Sequence, residues 1–244
     1  MTGHIFYNSG HTAAMAYAVA NMWRMGCRFT ATPDSSVTHL LLGVPAFQPN
    51  GALKGGGNIH QLLSHFREDV TIIGGNLPKG MGEHPTVDLL QDDLYLAENA
   101  DISALCALKL ILQKLPITLK GCPVLIIGWG RIGKCLAKLL ADVGAAVTVA
   151  ARKSSDRAML SALGYTATDL TVRPEQYRLI VNTAPAPVLT GDQLIDCCTN
   201  CLKIDLASVQ GIDAEDVIWA RGLPNSHAPE TSGALIAQSI LRLI

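Results

Sequence analysis

The chain has 244 residues, 49% of them hydrophobic, which suffices for one large or two modest domains with filled cores and excludes a disordered chain. Its 19 Lys and Arg residues stand against 20 Asp and Glu, for a formal charge of -1, with no block of either sign. That balance gives no electrostatic footprint for nucleic acid or an anionic membrane, and it points to small ligands.

The first segment, "HIFYNSG", reads as a strand that ends in polar turn residues. The Ala- and Met-rich residues 12–25 follow as a helix. Ala18-Val19-Ala20 imitates a cleavage site, but no Lys or Arg precedes it, so a buried helix is expected rather than a leader. No apolar run reaches the ~18 residues of a membrane span, and a soluble, cytoplasmic protein is expected. "VTHLLLGVPAF" and "VTIIGGNLP" are further buried strands, separated by a helix around residues 58–66. Between them, "QPNGALKGGG" is too irregular for a phosphate-loop signature.

Residues 97–115 carry Ile102, Leu105, Cys106, Leu108, Leu110 and Ile111 at helical spacing, and Pro116 ends the pattern. This is the expected connector. Beyond it, residues 124–127, 146–150, 179–182, 202–206 and 217–220 supply five strands of a second sheet, and residues 231–243 form a last helix. The fold class is therefore α/β, with two Rossmann-like parallel-sheet units joined by a long helix, the C-terminal unit binding a dinucleotide. The expected divisions are a substrate or partner domain at 1–96, the connector at 97–118, the nucleotide domain at 119–225, and a terminal helix at 226–244 that packs back on the first domain.

The second unit contains "VLIIGWGRIGKCLAKLL", with Gly128, Gly130 and Gly133 placed between a strand and a helix whose apolar positions are Ile132, Cys135, Leu136, Leu139, Leu140 and Val143. Gly128 permits the tight turn, Gly130 lets a pyrophosphate approach, and Gly133 lets helix and strand pack, with Trp129, Arg131 and Ile132 completing the loop. The helix N-terminus then faces the anion. A tight turn without a ligand would not need this glycine spacing inside a strand-loop-helix-strand unit of about thirty residues.

The next strand ends in "AARKSSDR", where an NAD site carries an acid for the ribose 2′-hydroxyl. Ala151 is instead followed by Arg152, Lys153, Ser154 and Ser155, donors suited to a 2′-phosphate, so NADP is expected before NAD. The competing reading is a solvated basic turn. Seven cysteines read as reduced core residues. Cys197, Cys198 and Cys201 lie close in sequence, but no second ligand pair follows, and no metal site is expected.

From Gly128 onward the motifs "GWGRIG", "VAARKSSDR", "LIVNTAPAPVL", "IDLAS" and "GLPNSHAPETSG" come in an order and spacing that resemble the dipicolinate synthase A-chain family, the pyridine-nucleotide component of that enzyme. Asn99 and Ala100 also resemble a family Asn-Ala pair at the connector, whereas Ser103, Leu105 and Cys106 replace the family's Thr, Glu and Gly. The resemblance implies NADP-dependent oxidation of a dihydro- or tetrahydrodipicolinate to the aromatic dicarboxylate. It also implies a complex, with a flavoprotein-like second subunit or further copies of this chain, rather than a free monomer.

Parallel strands bind ligands beyond their carboxyl ends, so the reaction is expected between the two units. Asn182, Thr183, Ala184 and Pro185 end one strand on the nicotinamide side, and Asp205 and Ala207 mark the next strand end. Asn8, Ser9, Thr12, Asn76 and Asn99 are candidate hydrogen-bonding groups for the dianionic substrate, although Thr12 and Ser9 read equally well as caps. His11 or His227, or water, would take the one proton. A D-2-hydroxyacid dehydrogenase shares this layout but needs an Arg where Ala207 and Ser208 stand, and a non-catalytic NADP-binding regulatory subunit is the third reading.

Overall fold

The computed structural model describes residues 3–48, 50–79, 81, 83–194, 197 and 200–244, with the main chain alone at 192. The chain opens with β1 (Ile5–Asn8), α1 (Ala13–Arg24), β2 (Arg28–Phe29), β3 (His39–Leu41), α2 (Ile59–Leu63), β4 (Thr71–Gly74) and β5 (Thr86–Asp88). The long α3 (Asp93–Lys114) follows. Then come β6 (Pro123–Ile127), α4 (Arg131–Asp142), β7 (Ala146–Ala150), α5 (Ser154–Ala162), β8 (Thr166–Thr168), β9 (Leu179–Asn182), α6 (Gly191–Leu194), β10 (Leu202–Asp205) and β11 (Ile218–Trp219). Two helices close the chain, α7 (Leu223–His227) and α8 (Pro229–Leu243).

Both sheets are parallel, as the alternation of apolar runs and helical periods predicts. The first has the order β2-β1-β3-β4-β5 and the second β11-β10-β9-β6-β7-β8. The first is the flavodoxin-like winding and the second the Rossmann winding; each reverses direction once, between β1 and β3 and between β6 and β9. Two compact units result, one formed by residues up to Asn99 together with Pro224–Ile244, the other by Ala100–Leu223.

In the first unit the interior strands supply the core, with Phe6, Leu40, Leu41, Ile72 and Ile73 at 1% exposure or less. Helix α1 buries Ala14, Met15, Ala18 and Met22 on one stripe, and α8 buries Leu235, Ile236, Ala237 and Ile240. The two helices meet at Gly233. A Cβ there would stand 2.5 Å from the Ala14 carbonyl oxygen and 2.8 Å from the Ala18 nitrogen. The chain enters α8 through Pro229 at the first helical turn, where a missing N–H costs nothing. Near its other end, Arg242 pairs with Asp92, whose carboxylate also accepts the Tyr95 N–H at 2.8 Å.

Three strands, β2, β5 and β8, have no counterpart in the apolar pattern of the sequence. Each lies at a sheet edge and holds two or three residues, too few to show a period, so only pairing with an interior neighbour defines it. The second sheet thus has six strands rather than five. Helix α3 begins four residues earlier than its apolar spacing predicts, because Asp92 caps it and Leu96 already bonds the Asp92 carbonyl. The division between the units falls inside this helix rather than on either side of it.

At the start of β3 the buried His39 meets the half-buried His4. His39 is 7% exposed; its Nδ1 lies 2.7 Å from Thr38 Oγ1 and its Nε2 3.2 Å from His4 Nδ1. The Thr38 hydroxyl also accepts the Ile5 N–H at 2.8 Å and lies 3.1 Å from the Ile5 carbonyl, tying His39 to the start of β1. Burial, followed by repulsion from His4, lowers the pKa of His39 from 6.5 to about 4.

Gly233→Ala should force α8 off α1 and lower stability by roughly 1–3 kcal/mol, measurable as a fall in urea midpoint. Between pH 6.5 and about 4 the unfolded chain binds a proton that folded His39 refuses. The stabilisation is complete above 6.5 and is lost as pH falls, by about 2 kcal/mol at pH 5, and His39→Gln should flatten that slope in unfolding titrations.

Candidate functional site: a glycine loop at the sheet switch point

The second unit places its polar strand ends at the winding reversal. After β6 the chain turns through Gly128 with φ of +107°, a conformation that strains any residue with a side chain. A Cβ at Gly128 would also lie 2.6 Å from Thr183 Oγ1. At Gly133, in the first turn of α4, a Cβ would overlap the Gly128 carbonyl oxygen. The helix then buries Leu136, Ala137 and Leu140 on one face, while Val143 is exposed just beyond its end.

Gly130 differs from its neighbours. It has ordinary φ, and a Cβ there would meet nothing within 4 Å. The protein's own packing therefore does not require glycine at this position. The open space lies at the start of α4, which has no side-chain cap. Uncapped N–H groups beside an open glycine are the features that admit a pyrophosphate.

Thr183 fastens the neighbouring strand end to this loop. Its N–H and its hydroxyl both donate to the Ile127 carbonyl, at 2.8 and 3.0 Å. Asn182 is fully buried. Its Oδ1 accepts the Ala184 N–H at 2.9 Å, and its Nδ2 donates to the Ala184 carbonyl and to the Asp205 carboxylate. Ala184 is half-buried and Pro185 exposed.

Asp205 departs from its expected role. Its carboxylate is fully buried and accepts the N–H groups of Ala207 at 2.9 Å, Gly211 at 2.7 Å and Ile212 at 3.0 Å, besides the Asn182 amide. Its lone pairs are spent inside the protein, so it organises residues 206–212 instead of facing a ligand. Ala207 is also buried, and its carbonyl accepts Trp219 Nε1–H at 3.0 Å. A Cβ at Gly211 would collide with the Ala186 carbonyl. Nothing in the local sequence marks Gly211 or the inward turn of Asp205, because both depend on a neighbouring strand.

At the end of β7, Ala151 is buried while Arg152, Lys153, Ser154 and Ser155 are exposed. Lys153 occupies the N-cap position of α5 without a capping bond. Trp129 packs edge-on against Tyr165 at 5.9 Å, with Lys134 Nζ 5.7 Å from its ring centroid. Ile132 is half-buried and Arg131 exposed. Cys197 and Cys201 direct their thiols at backbone carbonyls, 3.9 and 3.8 Å away, and Cys198 lies outside the described residues.

In the first unit, β1 ends at its own reversal point. Asn8 bonds both the N–H and the carbonyl of Gly10, and the Ser9 N–H reaches the Leu41 carbonyl at 2.8 Å. The Thr12 hydroxyl accepts the Met15 N–H and caps α1. Asn76 is exposed with φ of +57°, held there by Asp88, which accepts the N–H groups of Asn76 and Leu77. His11 is exposed and touches Gly55 of the glycine-rich loop. His227 lies in the short helix α7, not in a loop, with Nδ1 2.9 Å from Ser226 Oγ. Asn99 lies within α3, at the last position of the first unit.

Residues 111–196 match the sequence model of the D-isomer specific 2-hydroxyacid dehydrogenase, NAD binding domain. The dipicolinate synthase A chain of Bacillus subtilis (strain 168) is 30% identical over 149 residues, 55% of this chain and 49% of that protein. The chain thus spans about half the length of that curated relative. The crystal structure of the dipicolinate synthase A chain from Bacillus halodurans superposes with a TM-score of 0.86 at 20% identity, covering 99% of this chain and 98% of that one. The crystal structure of the Bacillus subtilis A chain gives 0.81 at 21% identity, covering 100% and 96%. The chain therefore has the fold of these proteins, two Rossmann-like parallel-sheet units, and its residues 111–196 are similar to the NAD binding domain of D-isomer specific 2-hydroxyacid dehydrogenases. Among the described residues no helix is long and apolar enough to cross a membrane.

Asp205→Asn keeps one acceptor oxygen but sets an amide N–H₂ against the Ala207 N–H on one side, or against those of Gly211 and Ile212 on the other. It should lower stability by about 2 kcal/mol or more. Because the displaced loop adjoins the turn at Thr183, dinucleotide affinity should fall as well; thermal unfolding and cofactor titration of the same sample read both effects.

Proposed function

We propose that this chain is an oxidoreductase like the dipicolinate synthase A chain, one that binds NADP in its second unit and oxidises a dihydro- or tetrahydrodipicolinate to dipicolinate. The observation that carries the cofactor half is the β7 strand end, where an exposed Arg152 and the uncapped start of α5 stand in place of a carboxylate. The shared motif set and the likeness over 149 residues support the substrate half.

The cofactor fits the residues present. Residues 128–133 and the first N–H groups of α4 would hold the pyrophosphate, Arg152 with Lys153 and Ser154 the 2′-phosphate, and residues 183–185 the nicotinamide side. When bound, the nicotinamide supplies a hydride acceptor. A dihydrodipicolinate loses one hydride and one proton as its ring becomes aromatic, which drives the reaction forward; a tetrahydro substrate needs two such oxidations. The protein's task is then orientation and removal of one proton. Asn8, Ser9, Thr12, Asn76 and Asn99 are the proposed donors to the two substrate carboxylates. With the Thr12 oxygen already accepting from α1, its hydroxyl proton is the part left for a ligand. His11 or His227, or water, takes the proton. A flavoprotein-like second protein or further copies of this chain complete the complex.

The match of residues 111–196 favours a second reading, a D-2-hydroxyacid dehydrogenase. That chemistry wants a cation for the substrate carboxylate beyond β10, where Ala207 is buried and Ser208 follows.

NADP should bind more tightly than NAD by about 1.5 to 3 kcal/mol, or roughly tenfold and more, and Arg152→Ala should remove most of that difference. Equal affinities would overturn the cofactor assignment. Freshly generated dihydrodipicolinate should produce NADPH absorbance at about 340 nm, with this chain alone or with its flavoprotein-like partner. Tight NADP binding without any turnover would overturn the dehydrogenase and favour a regulatory role. Asn99→Ala should depress turnover far more than NADP affinity; parallel losses would remove Asn99 from the site.

A further inference from the structure

Beyond Arg152, the "ARKSSDR" stretch contains a second guanidinium that the cofactor reading does not use. Arg157 lies in α5, and its Nη1 donates to the carbonyl oxygens of both Ala151 and Arg152, each at 2.8 Å. The Ala151 N–H is bound to the Thr168 carbonyl at 3.0 Å. Ala151 is thus tied on one side to the residue that ends β8 and on the other to its own following helix. Arg152 is held by its carbonyl while its side chain remains exposed.

The electrostatic consequence concerns anions. Two carbonyl oxygens at a strand end present partial negative charge where a ribose substituent arrives, which suits a neutral 2′-hydroxyl donor and opposes a phosphate. The Arg157 guanidinium offsets that charge, and its Nη1, donating to both carbonyls, fixes the backbone from which Arg152 projects. The acid in this stretch, Asp156, sits in the first turn of the same helix, half-buried.

We infer that Arg157 is a specificity-determining positioning residue: by clamping the Ala151 and Arg152 carbonyls it makes the β7–α5 turn selective for a 2′-phosphorylated dinucleotide. The inference rests on the NADP reading above. Arg157 acts through Arg152 and the turn.

The test titrates NADP and NAD separately into the full chain and its Arg157→Gln, Arg157→Lys, Arg152→Ala and double Arg152→Ala/Arg157→Gln variants, by calorimetry. Arg157→Gln should lower the NADP-to-NAD affinity ratio about fivefold or more while NAD affinity stays within about twofold. In the Arg152→Ala background the same change should move the ratio less than about twofold, the non-additivity expected of a residue that works through another. Arg157→Lys, which keeps the cation on a shorter, more flexible and more strongly hydrated side chain, should fall between wild type and Gln, and it carries the test if the Gln variant does not fold. An unchanged ratio, equal weakening of both cofactors, or full additivity with Arg152→Ala overturns the assignment. A wild-type chain with no preference for NADP removes the cofactor reading and this role together. A wild-type preference that survives Arg157→Gln removes this role alone.

Discussion

Helix α4 meets strand β6 backbone to backbone at Gly133, with the Gly128 carbonyl oxygen where a side chain would begin. That contact sets the direction in which the helix leaves the sheet, and hence where its unpaired N–H groups point. Gly128 can approach because its φ is positive, and Thr183 then fills the space beside it and bonds back to Ile127. Cofactor loop, helix and neighbouring strand end are thus one packed object. The open face at Gly130 is what this packing leaves for a ligand.

The second organising element is polar. Asp205 and Asn182, adjacent in register on β10 and β9, are both fully buried and between them satisfy the N–H groups of residues 184, 207, 211 and 212. A buried carboxylate is costly unless its acceptor positions are filled, and here backbone N–H groups and one amide fill them. The loop beyond β10 accordingly has a defined path without regular structure of its own. In the first unit Asp88 does related work on a smaller scale, holding the left-handed Asn76 and the residue after it.

Charge enters at the end of β7. The glycine loop is common to many dinucleotide proteins and says little about which dinucleotide it holds. Two arginines stand at this strand end, one exposed and one folded back onto the main chain. Under the proposed function, cofactor choice rests on them and not on the pyrophosphate loop.

The sequence by itself determined the parallel α/β class, the Gly128, Gly130 and Gly133 fingerprint, the interior strands β1, β3, β4, β6, β7, β9 and β10, and the missing acid after β7. These follow from apolar runs, helical periods and short motifs, all local properties of the chain. Tertiary structure decided the edge strands β2, β5 and β8, the inward turn of Asp205, the need for glycine at 211 and 233, and the clamp of Arg157 on two carbonyls. It also set the Thr12 oxygen as the cap of α1 and tied Asn8 to Gly10, bonds that leave the Thr12 hydroxyl proton and one Asn8 amide hydrogen as donors. The physical reason is common to all of these. A polar side chain commits its hydrogen bonds to whichever partner folding brings within about 3 Å, and that partner is set by strand order rather than by neighbours in sequence.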